Sequence, residues 1–160
     1  MSTAAERDGI RIERGDVRTA ESREMVATYL AEINRAFGHD PDHAPPVPDE
    51  DFDPPTGMFL IVRDERDVAV GCGSIRLLDA DTAEIKRMWI NPSMRGRGAG
   101  WALLQALEAA AVDLGATVGV LDTNATLTSA LALYRANGWQ EVPAYNDNEQ
   151  ATHWFRKELA

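Results

Sequence analysis

Residues 95–100 read Arg-Gly-Arg-Gly-Ala-Gly, and they constrain the fold more than any other stretch. A strand-like run precedes them at 83–90, and a helix-like run follows at 101–114. Glycine opens backbone conformations closed to other residues and lets a ligand approach the main chain. The unpaired N–H groups of a helix's first turn point at whatever sits there, and the helix dipole favours negative charge. Arg95 and Arg97 add positive charge. The stretch therefore predicts an anion cradle between a strand and a helix, and the expected guest is the phosphate or pyrophosphate of a phosphorylated cofactor.

The flanking elements follow from periodicity. Residues 10–12 alternate and predict a short strand. In 19–37, Met25, Val26, Tyr29, Leu30, Ile33 and Phe37 fall on one helical face, with Thr19 or Ser22 as the cap. The segment 39–55 holds six of the eight prolines and six acids, so an irregular, acidic loop is expected there. Strands are predicted at 58–63, 68–77 and 83–90, with turns between them. After the cradle come a helix at 101–114 stopped by Gly115, a strand at 118–121, a helix at 126–136, and strands at 139–142 and 152–158. The expected architecture is a single α/β domain over 10–160, preceded by a flexible N-terminus at 1–9. Its central sheet is mixed but mostly antiparallel, flanked by helices, with one parallel crossover at the cradle.

Composition narrows the function. A net charge of −10 argues against a nucleic-acid groove and leaves room for a cationic substrate. No apolar run reaches the roughly 18 residues of a membrane span. The first nine residues lack the apolar core of a signal peptide, and the lone Cys72 fits a reducing compartment, so a cytoplasmic protein is expected. Arginine far outnumbers lysine, which suggests a GC-rich bacterial genome. His39 and His43 sit in a proline-rich loop rather than on a helix, so no metal site is expected.

Two phosphate-binding motifs do not fit the cradle. A P-loop would end in Gly-Lys-Ser or Gly-Lys-Thr, but Trp101 follows Gly100. A dinucleotide fingerprint spaces its third glycine one residue later and makes a tighter turn than 91–94 allow. The stretch instead resembles the acetyl-CoA signature of the GNAT superfamily of N-acetyltransferases, Arg/Gln-x-x-Gly-x-Gly/Ala, met by Arg95, Gly98 and Gly100. The similarity covers nearly the whole chain in element order. It is densest in 83–88, 121–124, 132–139, 145–148 and 153–157, where Leu133-Tyr134 and Gly138-Trp139 complete a second, independent signature.

The resemblance implies a site residue by residue. The amides of Gly96, Arg97, Gly98, Ala99 and Gly100, with Arg95, would bind the pyrophosphate of acetyl-CoA. The strand edge Met88, Trp89, Ile90 would hydrogen-bond the pantetheine arm, and an amide near Ile90 would face the oxyanion. Asn124 matches a pantetheine contact. Tyr134 matches the acid that protonates the leaving thiolate, a task suited to a phenol. Glu84 stands where some members carry the general base. The implied reaction is direct attack by a primary amine in a ternary complex. Homodimerisation through late strands is also implied, with Trp139, Trp154 and Phe155 as core or interface. Two other classes stay open at this point: a CoA-binding module without catalysis, and a nucleotide-binding oxidoreductase, which the glycine spacing disfavours. Taken alone, Tyr134 fits a core aromatic, Glu84 a strand ion pair with Lys86 or Arg87, and Cys72 a small core residue. His153 and the acidic loop are candidates for the acceptor pocket.

Overall fold

The segment Gly57–Arg63 carries apolar side chains without alternation, the pattern of a strand covered on both faces. In the computed structural model, which describes residues 5–7, 9–39 and 48–159, it does lie between two layers. Met58, Leu60 and Val62 face one apolar cluster, while Phe59 and Ile61 face the other. The strands are β1 (Ala5–Arg7), β2 (Ile10–Gly15), β3 (Gly57–Arg63), β4 (Ala69–Leu77), β5 (Thr82–Ile90), β6 (Val118–Thr123), β7 (Gln140–Val142) and β8 (His153–Glu158). They form one sheet of order β1-β2-β3-β4-β5-β6-β8-β7. Among the described residues only β5 and β6 pair in parallel, as expected for a single crossover.

Three helices cover the sheet. α1 (Ala20–Phe37) lies on the face of Phe59 and Ile61, and α2 (Ala99–Asp113) and α3 (Thr128–Ala136) lie on the other. Thr19 caps α1, its hydroxyl accepting from the Ser22 amide at 3.1 Å. α2 is the crossover, and Leu103, Leu104 and Leu107 are fully buried against the sheet.

Several expectations are corrected. Residues 5–7, expected in a flexible tail, pair with β2 in an antiparallel hairpin. Part of the 39–55 loop lies outside the described residues. Its later part is not irregular: Asp49–Phe52 forms a 3-10 turn that drives Phe52, 2% exposed, into the α1-side cluster. An apolar anchor four residues from the end of a proline-rich run outweighs the run's composition. Tyr29, Leu30, Ile33 and Phe37 are only partly buried, because the C-terminal half of the α1 stripe faces a cleft rather than the core. Trp139 and Phe155 are core residues, at 3% and 0% exposure.

Two irregularities in the pairing of β5 open and line this cleft. β5 and β6 share only three residue pairs, from Thr82↔Val118 to Glu84↔Val120, and then diverge. On its other side, β5 carries a bulge opposite the register shift between Cys72 and Ser74, where Arg87 takes a left-handed φ of 54°. An extra residue in one strand of a pair bends that strand and re-aims its side chains.

Candidate active site

Where β5 and β6 part, a cavity of about 600 Å³ passes between them. Its walls come from α1 (Tyr29, Glu32, Ile33), β5 (residues 85–90), β6 (Leu121, Asp122, Thr123), the start of α2 and one face of α3. The open edge of β5 supplies its donors. The Asn91 amide donates to Val70 O on β4 at 2.8 Å. By strand alternation the Ile90 N–H therefore points away from β4, into the gap. The Ile90 carbonyl agrees, accepting Arg95 Nε at 3.0 Å rather than a strand partner.

The glycine cradle borders this cavity at the mouth of α2. Gly96 and Gly98 both have φ of 79°, and a Cβ on either would meet nothing within 4 Å. Left-handed backbone beside open space is what close main-chain approach by a ligand needs, and here glycine is required. The first amides of α2 have no intrahelical acceptor. Arg95, Gly96, Gly98 and Gly100 line the cavity. Arg97 is in the loop and Ala99 opens α2, but their side chains turn elsewhere. Arg97 reaches Met94 Sδ at 3.4 Å, and Ala99 packs in the core. The positive charge expected from Arg97 is thus absent from the cavity wall.

Tyr134 projects from α3 into the gap. Its ring packs on Trp139 and Phe155 at centroid distances of 6.2 and 5.9 Å. Among the described residues its hydroxyl meets only the Met88 thioether, at 3.8 Å. Burial raises its pKa, so the phenol is protonated throughout the neutral range. A buried hydroxyl whose only contact is a weak sulfur acceptor is free to donate to a ligand.

Glu84, the expected base, is elsewhere. It is 1% exposed and does not line the cavity. Arg76 Nε donates to Oε1 at 3.0 Å, the Tyr145 hydroxyl to Oε2 at 2.5 Å, and Lys86 Nζ stands 3.7 Å away. Both oxygens are occupied by the scaffold. The carboxylate that the sheet does bring to the gap is Asp122. Its Oδ2 accepts from Asn146 at 2.7 Å and lies 3.7 Å from Lys86 Nζ, while Oδ1 has no partner among the described residues. Asn124 lines the cavity, but its side chain is engaged: it donates to Gln150 O at 2.6 Å and accepts from the Thr126 amide at 2.9 Å. It secures the turn into α3 and the following loop.

Glu32 belongs to the site and was not anticipated. It accepts from Trp89 Nε1 at 3.0 Å and from Arg95, tying α1 to β5 and the cradle. Burial opposes its ionisation, but the hydrogen bonds from Arg95 and Trp89 outweigh that and hold its pKa below the usual range. The available signal was a charged residue seven after Met25, on the apolar face of α1. Cys72 is a core residue, and burial pushes its thiol up to about 12. No described helix is long and apolar enough to cross a membrane.

Comparison with known proteins agrees with this geometry. An uncharacterised N-acetyltransferase of Schizosaccharomyces pombe is 33% identical over 98 residues, which is 61% of this chain and 60% of that protein. The chain thus spans less than two thirds of that relative's length. The crystal structure of a proposed acyl-CoA N-acyltransferase from Klebsiella pneumoniae superposes with a TM-score of 0.76 and 29% identity, over 93% of this chain and 97% of that one. A GNAT acetyltransferase from Elizabethkingia anophelis, solved with acetyl-CoA bound, shares the fold at TM-score 0.68 and 18% identity, over 96% and 100% of the two chains. The sequence pattern of the acetyltransferase (GNAT) family matches residues 23–139, most of the chain and nearly all of the cavity wall. The chain belongs to the acetyltransferase (GNAT) family.

Proposed function

We propose that the protein transfers the acetyl group of acetyl-CoA to a primary amine, by direct attack within a ternary complex. The observation that carries this reading is the gap between β5 and β6, with an inward Ile90 N–H, a Tyr134 hydroxyl and a glycine cradle at one mouth. Acetyl-CoA fits these groups: open glycine backbone for its pyrophosphate, and the unpaired β5 edge at Met88 and Ile90 for its amide-bearing arm.

Acyl transfer from a thioester to an amine forms a C–N bond and breaks a C–S bond. It needs a donor for charge growing on the carbonyl oxygen, an acceptor for the amine's proton and a donor for the departing sulfur. The Ile90 amide serves the first need, because a fixed dipole in a secluded gap requires no reorganisation. Tyr134 serves the last, since its hydroxyl is protonated at neutral pH and stands in the gap. The amine arrives as an ammonium and must lose a proton. Asp122, with its free Oδ1, is the carboxylate placed to receive it. Glu84 acts one step removed, holding Lys86, Arg76 and Tyr145 around that position.

Calorimetric titration with acetyl-CoA, with NADH as competitor, tests the reading. Micromolar acetyl-CoA binding, abolished by Gly98→Glu and unaffected by NADH, is expected, together with CoA release on adding amines. Binding of NADH in place of acetyl-CoA, or of neither, would refute it.

A further inference from the structure

Arg87 is the feature of the cavity that acetyl transfer, as assigned to Ile90, Tyr134 and Asp122, does not use. The β5 bulge places it on the α1 side of the sheet, the side also taken by Lys86 and Trp89. Arg87 lines the cavity, and its guanidinium lies 5.1 Å over the ring of the buried Phe52. The neighbouring arginines each close on a carboxylate: Arg23 on Asp49, Arg76 on Asp51 and Glu84, and Arg95 on Glu32. The Arg87 guanidinium makes no hydrogen bond and no ion pair with any described residue. Stacking occupies the π face of a guanidinium but satisfies none of its five N–H donors. Burial disfavours its charged form, and Asp49, the acid in the same corner, is held by two hydrogen bonds to Arg23. A left-handed φ of 54° at a bulky, non-glycine residue adds backbone strain, which persists where a site over-determines it.

We propose that the acceptor is an amine bearing a carboxylate, an α-amino acid or close relative, and that Arg87 binds that carboxylate. This rests on the acetyltransferase reading and narrows it. A flat guanidinium with unpartnered N–H groups matches a carboxylate in a two-point hydrogen bond, and stacking on Phe52 leaves those groups unsatisfied in a residue that lines the cavity. The opposite wall carries the complement: Asp122, on β6, offers its free Oδ1 to the ammonium. The cavity thus has a cationic wall at Arg87 and an anionic wall at Asp122, the polarity of a zwitterion. A polyamine would set a second ammonium against Arg87, where like charges repel. The described part of the acidic segment named as a candidate for the acceptor pocket is engaged as well: Asp49, Asp51 and Asp53 pair with Arg23, Arg76 and Arg18.

The test is a panel of α-amino acids, each beside its carboxamide and its decarboxylated amine, assayed by CoA release at fixed acetyl-CoA. For the wild type, kcat/KM should favour the acid over its amide by roughly ten- to a hundred-fold, the usual effect of a charge-assisted pair. In Arg87→Gln that ratio should collapse toward one, chiefly through KM for the acid. Arg87→Lys should retain part of it. Should Arg87→Gln fail to fold by thermal melting, the wild-type ratio and the Lys variant decide. A wild-type ratio near one, a preference for polyamines, or a ratio unchanged in a folded Arg87→Gln overturns the proposal. Absence of acetyl-CoA binding overturns the acyltransferase reading and this inference together. Binding and transfer without any acid-over-amide preference overturns the inference alone.

Discussion

Glu84→Gln separates a scaffold from a base. The substitution keeps the shape of the side chain and removes its charge. In the native protein this carboxylate is 1% exposed and receives Arg76 at 3.0 Å and Tyr145 at 2.5 Å, with Lys86 at 3.7 Å. Breaking a buried ion pair on one side costs about 3–5 kcal/mol. Arg76 keeps Asp51 at 2.9 Å and Lys86 keeps Asp122 at 3.7 Å, so the loss falls at or just below the lower end, about 2–3 kcal/mol. In a domain of this size each kcal/mol moves Tm by about 2–4 °C, which predicts a drop of about 5–10 °C. As a scaffold residue, Glu84 should also leave kcat within about tenfold of wild type. A general base contributes about 10²–10⁴-fold and shapes the acidic limb of the pH–rate profile. Thermal melting and a pH series of kcat/KM measure both. An unchanged Tm with a hundredfold loss of kcat and a vanished acidic limb would refute the scaffold assignment and restore Glu84 as the base.

Tyr134→Phe should lower kcat about 10²-fold or more while moving Tm by at most 1–2 °C, because the lost hydroxyl has only a thioether partner. An unchanged kcat removes Tyr134 from the mechanism. Gly119→Ala should destabilise the fold by about 1–3 kcal/mol in urea unfolding, since a Cβ there would stand 2.8 Å from the buried Trp139 ring. Stability should also fall at alkaline pH. The Cys72 thiol has a folded pKa of about 12, above its unfolded value, so its contribution is complete below about pH 9 and is lost as pH rises toward 12. Tyr29 and Tyr134, also raised by burial, join only above about pH 10. Between pH 9 and 10 the wild type should lose about 1 kcal/mol, and Cys72→Ala should flatten that slope. Equal slopes in the two proteins would mean that the thiol is not buried as described.

The cradle and the topology were legible because both rest on local chemistry. Alternate glycines, helical periodicity and turn residues act within a few positions of themselves. The sequence therefore anticipated the permissive glycines at 96 and 98 and the α2 crossover, while Tyr134 was singled out by the family resemblance and, read alone, as a core aromatic. The carboxylates were not legible on the same terms. Glu84 and Asp122 lie 38 residues apart and occupy adjacent parallel strands. Which of them faces the gap depends on Arg76, Tyr145 and Asn146, drawn from two other segments. Glu32 carried a faint sign, a charge on an apolar helical face, but its partners Trp89 and Arg95 lie 57 and 63 residues away. Phe52 illustrates the same limit, since its burial organises a segment whose composition alone predicts none.

The bulge and the gap are two consequences of how β5 is paired. On the β6 side, pairing ends after Glu84, so the following residues offer main-chain groups to a ligand. On the β4 side, pairing continues to Ile90, but only by absorbing one extra residue at Arg87. A regular strand would have sent alternate side chains to opposite faces, with residue 87 on the face of Ile85. The bulge instead keeps Lys86, Arg87 and Trp89 on the α1 side and sends Met88 toward Tyr134. One irregularity thus adds the cationic wall on one face while leaving the sulfur contact at Tyr134 in place on the other. Deleting residue 87 would restore the strand register and remove the cationic wall, while Met88, now directly after Lys86, stays on the Tyr134 face. A variant that shortens β5 by that residue should accordingly still bind acetyl-CoA at the cradle and acetylate amines, but lose the acid-over-amide preference in the CoA-release assay; loss of acetyl transfer with acetyl-CoA binding intact would show that the bulge itself shapes the reacting groups.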